Sequence, residues 1–364
     1  MRATRPTWAE VSAGALRRNL ARLKRRCGVD VMAVVKANAY GHGAVTVAKA
    51  LGAGVRSLGV ATLEEALELR EAGRRGEVMV LGAVEPARLG DAAKAKVGVT
   101  VWNRLYLDDA ARAARRHGPL DIHIKVDTGM ARLGCGVDEV PGLLGDFAAG
   151  RWTGLRLSSG YTHLAMADEP KDPLSAGQVQ ALARLPWPPG LRLHAANSAA
   201  ALRYPWARFS QVRSGIFLYG CATHRLHPLA RRQEPALSLY STVVRVARLR
   251  KGQGVSYGHT FKAPRAMNLA TLCCGYADGV PRALSNRGQI AIRGRLCRVV
   301  GRVTMDLMMV DLGPLKGIRP GERAKLLGEA KGPLSAQGWA EATGTLAYEV
   351  LCGIGARVPR LAVP

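Results

Sequence analysis

The chain contains no run of about 18 apolar residues, the length a membrane-crossing helix needs, so a transmembrane span is not expected. Its first ten residues, Met1 to Glu10, carry charges and a proline but no apolar segment of signal-peptide length, which points to a cytoplasmic protein. Paired or metal-ligating cysteines are also missing. The seven cysteines (27, 135, 221, 273, 274, 297 and 352) are odd in number and scattered, with neither a two-residue spacing nor a His-rich metal signature, so reduced thiols and no metal site are expected. Acidic residues are scarce: 27 against 53 basic ones, a formal charge of +26. That excess raises the question of nucleic acid. The arginines, however, come as dispersed pairs (17–18, 25–26, 74–75, 115–116, 231–232) without interleaved aromatics, which reads as solvated helix faces and not as a nucleic-acid surface. There is no internal repeat and no low-complexity segment.

What is present is a chain of 364 residues, 48% hydrophobic, long enough for two domains with real cores. From Val31 to about Arg213, short apolar runs alternate with longer amphipathic ones. Strands are predicted near 31–35, 56–60, 77–81, 98–101, 120–126, 153–158, 191–195 and 208–213. A helix over Thr62 to Ala72 opens on a capping-box spacing, Thr62 and Glu65. Eight strands separated by helices predict a parallel (β/α)8 barrel, with an open doubly wound sheet as the alternative. Beyond Tyr219 the texture changes, and the linker is placed within Cys221 to Glu234. Alternating β-branched runs then follow over 237–248, 267–274, 289–300, 305–312 and 323–327, with one helix near Ser335 to Thr343, as in an antiparallel barrel or sandwich. The expected division is 14–230 for the barrel and 231–364 for a β-rich domain.

The barrel reading makes a demand, because active sites of this architecture lie at the C-terminal strand ends. Unusual residues fall there: Lys36 after strand one, Lys125, Asp127 and Arg132 around strand five, His163 after strand six, Asn197 and Ser198 after strand seven, and Arg213, Gly215 and Ile216 at strand eight. Lys36 stands out. It ends the apolar strand Val31-Met32-Ala33-Val34-Val35, which makes it either a nucleophilic amine poised to form a Schiff base or a lysine that snorkels to water.

The continuation Lys36-Ala37-Asn38-Ala39-Tyr40-Gly41-His42-Gly43 resembles the cofactor-lysine segment of alanine racemases, the enzymes that use pyridoxal 5'-phosphate to invert alanine. The resemblance runs through Lys125-Val126-Asp127-Thr128-Gly129, Tyr161-Thr162-His163, Val212-Arg213-Ser214-Gly215-Ile216, Gly254-Val255-Ser256-Tyr257-Gly258, Gly275-Tyr276-Ala277-Asp278-Gly279, Met305-Asp306 and Tyr348-Glu349-Val350-Leu351-Cys352 to nearly the end of the chain. It implies a cofactor held on Lys36. Tyr40, Ser198, Gly215, Ile216 and Tyr348 would lie at the phosphate with Asn197 beside them, Arg213 beside the ring nitrogen and His163 near the ring. Lys36 and Tyr257 become the two bases that racemisation requires on opposite faces. Arg132 would bind the substrate carboxylate, and Lys125 could be carbamylated. Tyr257, Tyr276, Met305 and Asp306 would reach each site from the partner of a homodimer, and residues 1–13 would join the second domain. D-alanine for peptidoglycan is the implied product. An arginine can only donate, so the ring nitrogen facing Arg213 should stay unprotonated, which favours racemisation over decarboxylation.

Three positions depart from the family pattern. Thr304 stands where many relatives carry cysteine, Ser158-Ser159-Gly160 replaces the usual acidic residue before the glycine, and Cys273-Cys274 precedes Gly275. They leave open a serine or broad-range racemase, or an amino-acid decarboxylase, on the same scaffold. A non-catalytic cofactor-binding protein is a further alternative; it would have no need of the domain that carries Tyr257.

Overall fold

The computed structural model describes residues 5–169, 172–221 and 228–364. Eight parallel strands form the first sheet: β2 (Asp30–Val34), β3 (Ser57–Val60), β4 (Glu77–Val80), β5 (Gly98–Val101), β6 (Leu120–Lys125), β7 (Leu155–Tyr161), β8 (Arg192–His194) and β9 (Gln211–Ser214). Each pairs with its predecessor from β3 to β8, and β9 pairs with β2, placing Met32 opposite Arg213. Between β8 and β9 no ladder forms. Arg213 N–H donates to Ala196 O at 2.9 Å, and the Ser210 hydroxyl accepts from Leu193 N–H at 2.9 Å and donates to Leu193 O at 3.0 Å, so the barrel closes on a few contacts.

Strand six of the barrel runs Leu155–Tyr161, beginning two and ending three residues later than the apolar pattern suggests; the extra residue is Ser158, inserted as a bulge by a register shift opposite Ile122 and His123. Thr62 caps its helix as predicted, accepting from Glu65 N–H at 3.3 Å, but the return half of the capping box is absent. Glu65 turns instead toward the Lys36 loop and accepts from Ala37 N–H at 2.6 Å and Ala61 N–H at 2.7 Å.

The second sheet is built on the 13-residue strand β10 (Leu237–Leu249). Beyond a short hairpin, β11 (Gly254–Val255) with β12 (Phe261–Lys262), it takes in β13 (Met267–Leu272), β14 (Gln289–Ile292), β15 (Arg295–Val299), β16 (Met308–Asp311) and β17 (Arg323–Leu327). Pairing runs β10–β13–β16–β15–β14–β17 and back to β10, a closed antiparallel ring. At the other end of β10, β1 (Trp8–Ser12) pairs antiparallel with it, and β18 (Arg360–Val363) pairs parallel with β1. The predicted strand over 289–300 is in fact the β14–β15 hairpin, turned at Arg293-Gly294, and 305–307 lie in a loop before β16. A second helix, Ala347–Cys352, joins the expected one at Ala336–Thr343. Six residues are too few for a helical period to show in sequence. Much of the predicted linker, residues 222–227, lies outside the described residues, and Pro228–Arg232 forms a short 3-10 turn.

One continuous apolar core joins both sheets. The Ala347–Cys352 helix packs on the Lys36 turn so closely that a Cβ at Gly41 would collide with Leu351 O.

Candidate active site

At the C-terminal ends of the barrel strands lies a cavity of about 600 Å³. Lys36, Tyr40, Lys125, Arg132, His163, Asn197, Ser198, Arg213, Gly215, Ile216 and Tyr348 all line it, a set drawn from strands one, five, six, seven and eight of the barrel and from the Ala347–Cys352 helix. Sequence reasoning passed over Tyr161 and Cys352 as site residues, though both line the same space. Tyr161 was within reach of it: spaced two residues from His163 at a strand end, it shares that face.

Lys36 is followed by an uncommon piece of backbone. Ala37, Asn38, Ala39 and Tyr40 all have φ between 51° and 53°, a left-handed turn made without glycine. Such a conformation costs about 1–2 kcal/mol per residue. It is held by Glu65 at Ala37 N–H, by Asn38 Oδ1 accepting from Ala44 N–H at 2.7 Å, and by Arg360 Nε donating to Gly41 O at 2.9 Å. Beneath it the His42 ring donates from Nδ1 to Tyr40 O at 2.9 Å and packs against the Tyr219 ring, centroids 4.5 Å apart and planes tilted by 35°. The turn aims Tyr40 at β9: a Cβ on Gly215 would collide with the Tyr40 hydroxyl, so glycine is required there. Ser198 Oγ accepts from Gly215 N–H at 3.2 Å and lies 3.3 Å from Ser214 Oγ, while Asn197 caps the following helix through Ala200 N–H at 3.0 Å.

Arg213 is buried without a carboxylate. Nη1 donates to His194 Nδ1 at 2.6 Å and His194 O at 3.0 Å; Nη2 donates to Thr162 O at 2.6 Å and Ala195 O at 2.9 Å. Its Nε–H has no acceptor among the described residues. Asp127 gathers the Gly129–Arg132 loop by accepting from four backbone N–H groups at 2.8–3.2 Å. Burial opposes its ionisation, but those donors prevail and hold its pKa below the usual value.

Among the described residues no aspartate or glutamate lines the cavity, whereas Lys36, Lys125, Arg132 and Arg213 do. The consequences are consistent. Burial and then Arg132 pull the Lys36 pKa down. Burial, then Arg213 and Arg132, bring Lys125 down to about 8. Burial and the surrounding cations keep His163 neutral. A cavity with this charge and no internal counter-ion is suited to an anionic ligand.

The remaining predicted residues lie elsewhere. Tyr257, 71% exposed, sits on a tight loop where Ser256 and His259 both have positive φ. Ser256 Oγ donates to Arg302 O at 2.7 Å, which ties that loop to the segment before Met305. Tyr276 N–H donates to Thr304 O at 2.9 Å and Ala277 N–H to Met305 O at 3.1 Å. Buried Asp278 accepts from Arg5 at 3.0 Å and Arg357 at 2.8 Å, and Arg357 also reaches Asp306 at 2.7 Å. Tyr257, Tyr276, Met305 and Asp306 thus belong to one region of the β domain, and none of them lines the Lys36 cavity of its own chain.

A parallel barrel with a strand-end lysine facing a cationic cavity, joined to a closed antiparallel β domain, defines a barrel enzyme of the lysine-anchored type. Comparison with known proteins narrows this. Residues 11–223 match the family described as alanine racemase, N-terminal domain, and 236–362 match alanine racemase, C-terminal domain. Curated alanine racemases from Symbiobacterium thermophilum (42% identity, 98% of this chain and 97% of that one) and Nostoc sp. (39%, 98% and 95%) align along their length. The crystal structure of alanine racemase from D-cycloserine-producing Streptomyces lavendulae superposes with a TM-score of 0.93 at 37% identity, covering 100% of this chain and 98% of that one. The Bacillus anthracis alanine racemase with bound L-Ala-P gives 0.90 at 36%, covering 100% and 96%. The chain belongs to the alanine racemase family.

Alanine racemases are pyridoxal-phosphate enzymes, and the residues present fit that group. The cavity offers a lysine, a glycine-lined cradle between Tyr40 and Ser198, and a buried guanidinium whose Nε–H lacks an acceptor among the described residues.

Proposed function

We propose that the protein interconverts L- and D-alanine, with pyridoxal phosphate attached to Lys36 and each active site completed by Tyr257 of a second copy. The observation that carries this reading is the cavity itself: among the described residues, four cationic side chains, no carboxylate and a strand-end lysine whose pKa is lowered. Bound there, the cofactor would supply a conjugated electron sink that acidifies the α-hydrogen of an amino acid. Every other task falls to the chain. Tyr40, Ser198, Gly215, Ile216 and Tyr348, with Asn197 behind them, would hold the phosphate. Arg213 would donate its free Nε–H to the ring nitrogen and keep it unprotonated, and His163 would border the ring as a neutral imidazole. Arg132 would clamp the substrate carboxylate. Lys36 Nζ, its proton affinity reduced by burial, would exchange a proton on one face of the α-carbon and Tyr257 Oη on the other. Tyr276, Met305 and Asp306 would wall the site from the partner side.

Lys125 has no carboxylate partner and a pKa near 8, so its neutral amine is accessible at mildly alkaline pH. We assign it as a carbamylation site: the amine attacks the carbon of CO2, an N–C bond forms, one amine proton leaves to solvent, and the resulting anion faces Arg132. Intact-mass measurement of the native protein should find an added CO2 that is lost in acid. The domain division at 14–230 and 231–364, a cytoplasmic location and a role in supplying D-alanine for peptidoglycan belong to the same reading.

The decisive experiment combines spectroscopy and isotope exchange. The holoenzyme should lose its visible absorbance on borohydride reduction with the label on the Lys36 peptide, and alanine should acquire deuterium at the α-carbon in heavy water. An unlabelled Lys36 peptide, or serine racemised faster than alanine, would overturn the assignment.

A further inference from the structure

We infer that Ser159 and His123 are positioning residues for Arg213, acting through His194 along a one-way hydrogen-bond relay that crosses β9, β8, β7 and β6. The direction follows from chemistry alone. A guanidinium has no acceptor, so the 2.6 Å contact from Arg213 Nη1 requires a lone pair on His194 Nδ1, and His194 must be the neutral tautomer with its proton on Nε2. That Nε2–H lies 3.1 Å from Ser159 Oγ and donates to it. Ser159 Oγ lies 2.7 Å from His123 Nδ1, and among the described residues the only acceptor for the buried hydroxyl hydrogen is that nitrogen. His123 is therefore also an Nε2–H tautomer, and the relay ends there: His123 Nε2 is buried with no partner. Gly98 makes room for it, since a Cβ at Gly98 would collide with the imidazole edge.

The cations around the relay favour its neutral form: Arg213 and Lys125 toward the cavity and Arg192 at the opposite end, where Glu77 and Asp121 pull His123 the other way but burial prevails. Burial and these cations hold His194 far below an ordinary histidine, and burial brings His123 to about 4.

The hydroxyl at 159 is what makes the relay directional. It accepts on one side and donates on the other, which alanine cannot do. A carboxylate, the residue type the sequence resemblance leads one to expect before Gly160, could only accept, and it would favour an imidazolium at His194 facing Arg213. Besides the long 3.4 Å approach to His163, every acceptor of the Arg213 fork except His194 is backbone carbonyl. The tautomer of one imidazole thus decides whether the guanidinium meets a lone pair or another donor. A flipped ring would displace Arg213, and displacement by about 1 Å at such a site can cost up to a hundredfold in rate.

The functional consequence rests on the proposed role of Arg213, so the test separates the two. Neutron diffraction from a perdeuterated holoenzyme crystal should show deuterium on His194 Nε2, on Ser159 Oγ directed at His123, and on His123 Nε2. Deuterium on His194 Nδ1 or His123 Nδ1 would overturn the relay without reference to activity. Ser159→Ala and His123→Leu should then lower kcat roughly tenfold at little-changed KM and alter the pH dependence of the bound cofactor's absorbance. Ser159→Thr and His123→Asn, which keep the hydroxyl and an acceptor at the Nδ1 position, should restore both. If Ser159→Ala and His123→Leu leave kcat and spectrum unmoved, positioning is refuted; if the relay is present in a protein that racemises nothing, the proposed function fails and the relay stands.

Discussion

Single residues here carry unusual protonation costs. His42 is buried, donates from Nδ1 to Tyr40 O, and has no partner at Nε2, so a second proton would enter a site with no acceptor. Burial accordingly lowers its pKa to about 4, against 6.5 for the free side chain. The unfolded chain binds that proton more readily, so stability from the neutral ring is fully present above pH 6.5 and is lost as pH falls from 6.5 to 4. His123 adds to the slope in the same window. Urea midpoints measured between pH 7 and pH 4 should fall, and His42→Asn, which keeps the donor but cannot take a proton, should flatten the fall. An unchanged slope in that variant would show that the ring is not protonated on unfolding. With its amine unmodified, in protein kept free of CO2, Lys125 works at the opposite end: with a folded pKa near 8 and an unfolded one of 10.5, the cost of burying its charge is complete below pH 8. That cost is relieved as pH rises to 10.5. Lys125→Met should therefore gain more stability over wild type at pH 7 than at pH 10, read from the same midpoints.

At the level of elements, the strained turn after Lys36 depends on a carboxylate from a different βα unit. Glu65 accepts from Ala37 and Ala61 N–H groups with its two oxygens, so Glu65→Ala leaves the exposed Ala37 N–H to water and strands the part-buried Ala61 N–H at up to about 1–3 kcal/mol. With the clamp gone, the left-handed turn can relax and carry Lys36 and Tyr40 off station. We expect Glu65→Ala to lose at least tenfold in kcat and to bind cofactor more weakly. Glu65→Gln, with one oxygen left, should fall between the two, and wild-type turnover in Glu65→Ala would show the turn to be self-supporting. None of this was legible in the sequence. Lys36 itself was, because an apolar run ending on lysine has few readings, and the barrel was, because eight such runs recur between helices. Of the four left-handed residues only Asn38 belongs to a type enriched there, and alanine and tyrosine give no sign of positive φ. Glu65 was visible as a capping box, yet its partners lie across a turn that local spacing does not encode. The same holds for the relay through Ser159, which exists only because four strands meet side by side. By contrast, the cavity residues drawn from strand ends were recoverable, since the barrel fixes where those ends converge.

The whole molecule raises the question of completeness. Lys36 faces a cavity to which the β domain of the same chain contributes Tyr348 and Cys352 but not Tyr257, and the Tyr257–Tyr276–Met305 region stands exposed with apolar and aromatic side chains. Monomeric proteins seldom leave such a patch uncovered, and a two-fold arrangement in which each β domain covers the other's barrel mouth would close both cavities with the same surface. Complementation tests this directly. Lys36→Ala and Tyr257→Phe homodimers should each be nearly inactive, the first without attached cofactor and the second with it. If sites are shared, a mixed dimer contains one site with both substitutions and one with neither. Unfolding and refolding the two variants together at equal concentration makes half of the dimers mixed, each with one intact site of two, so activity should return to about a quarter of wild type. Dilution to monomers should abolish it. If mixing restores nothing while each variant still dimerises, Lys36 and Tyr257 must act within one chain, and the β domain would have to swing by a domain-scale motion to bring them together.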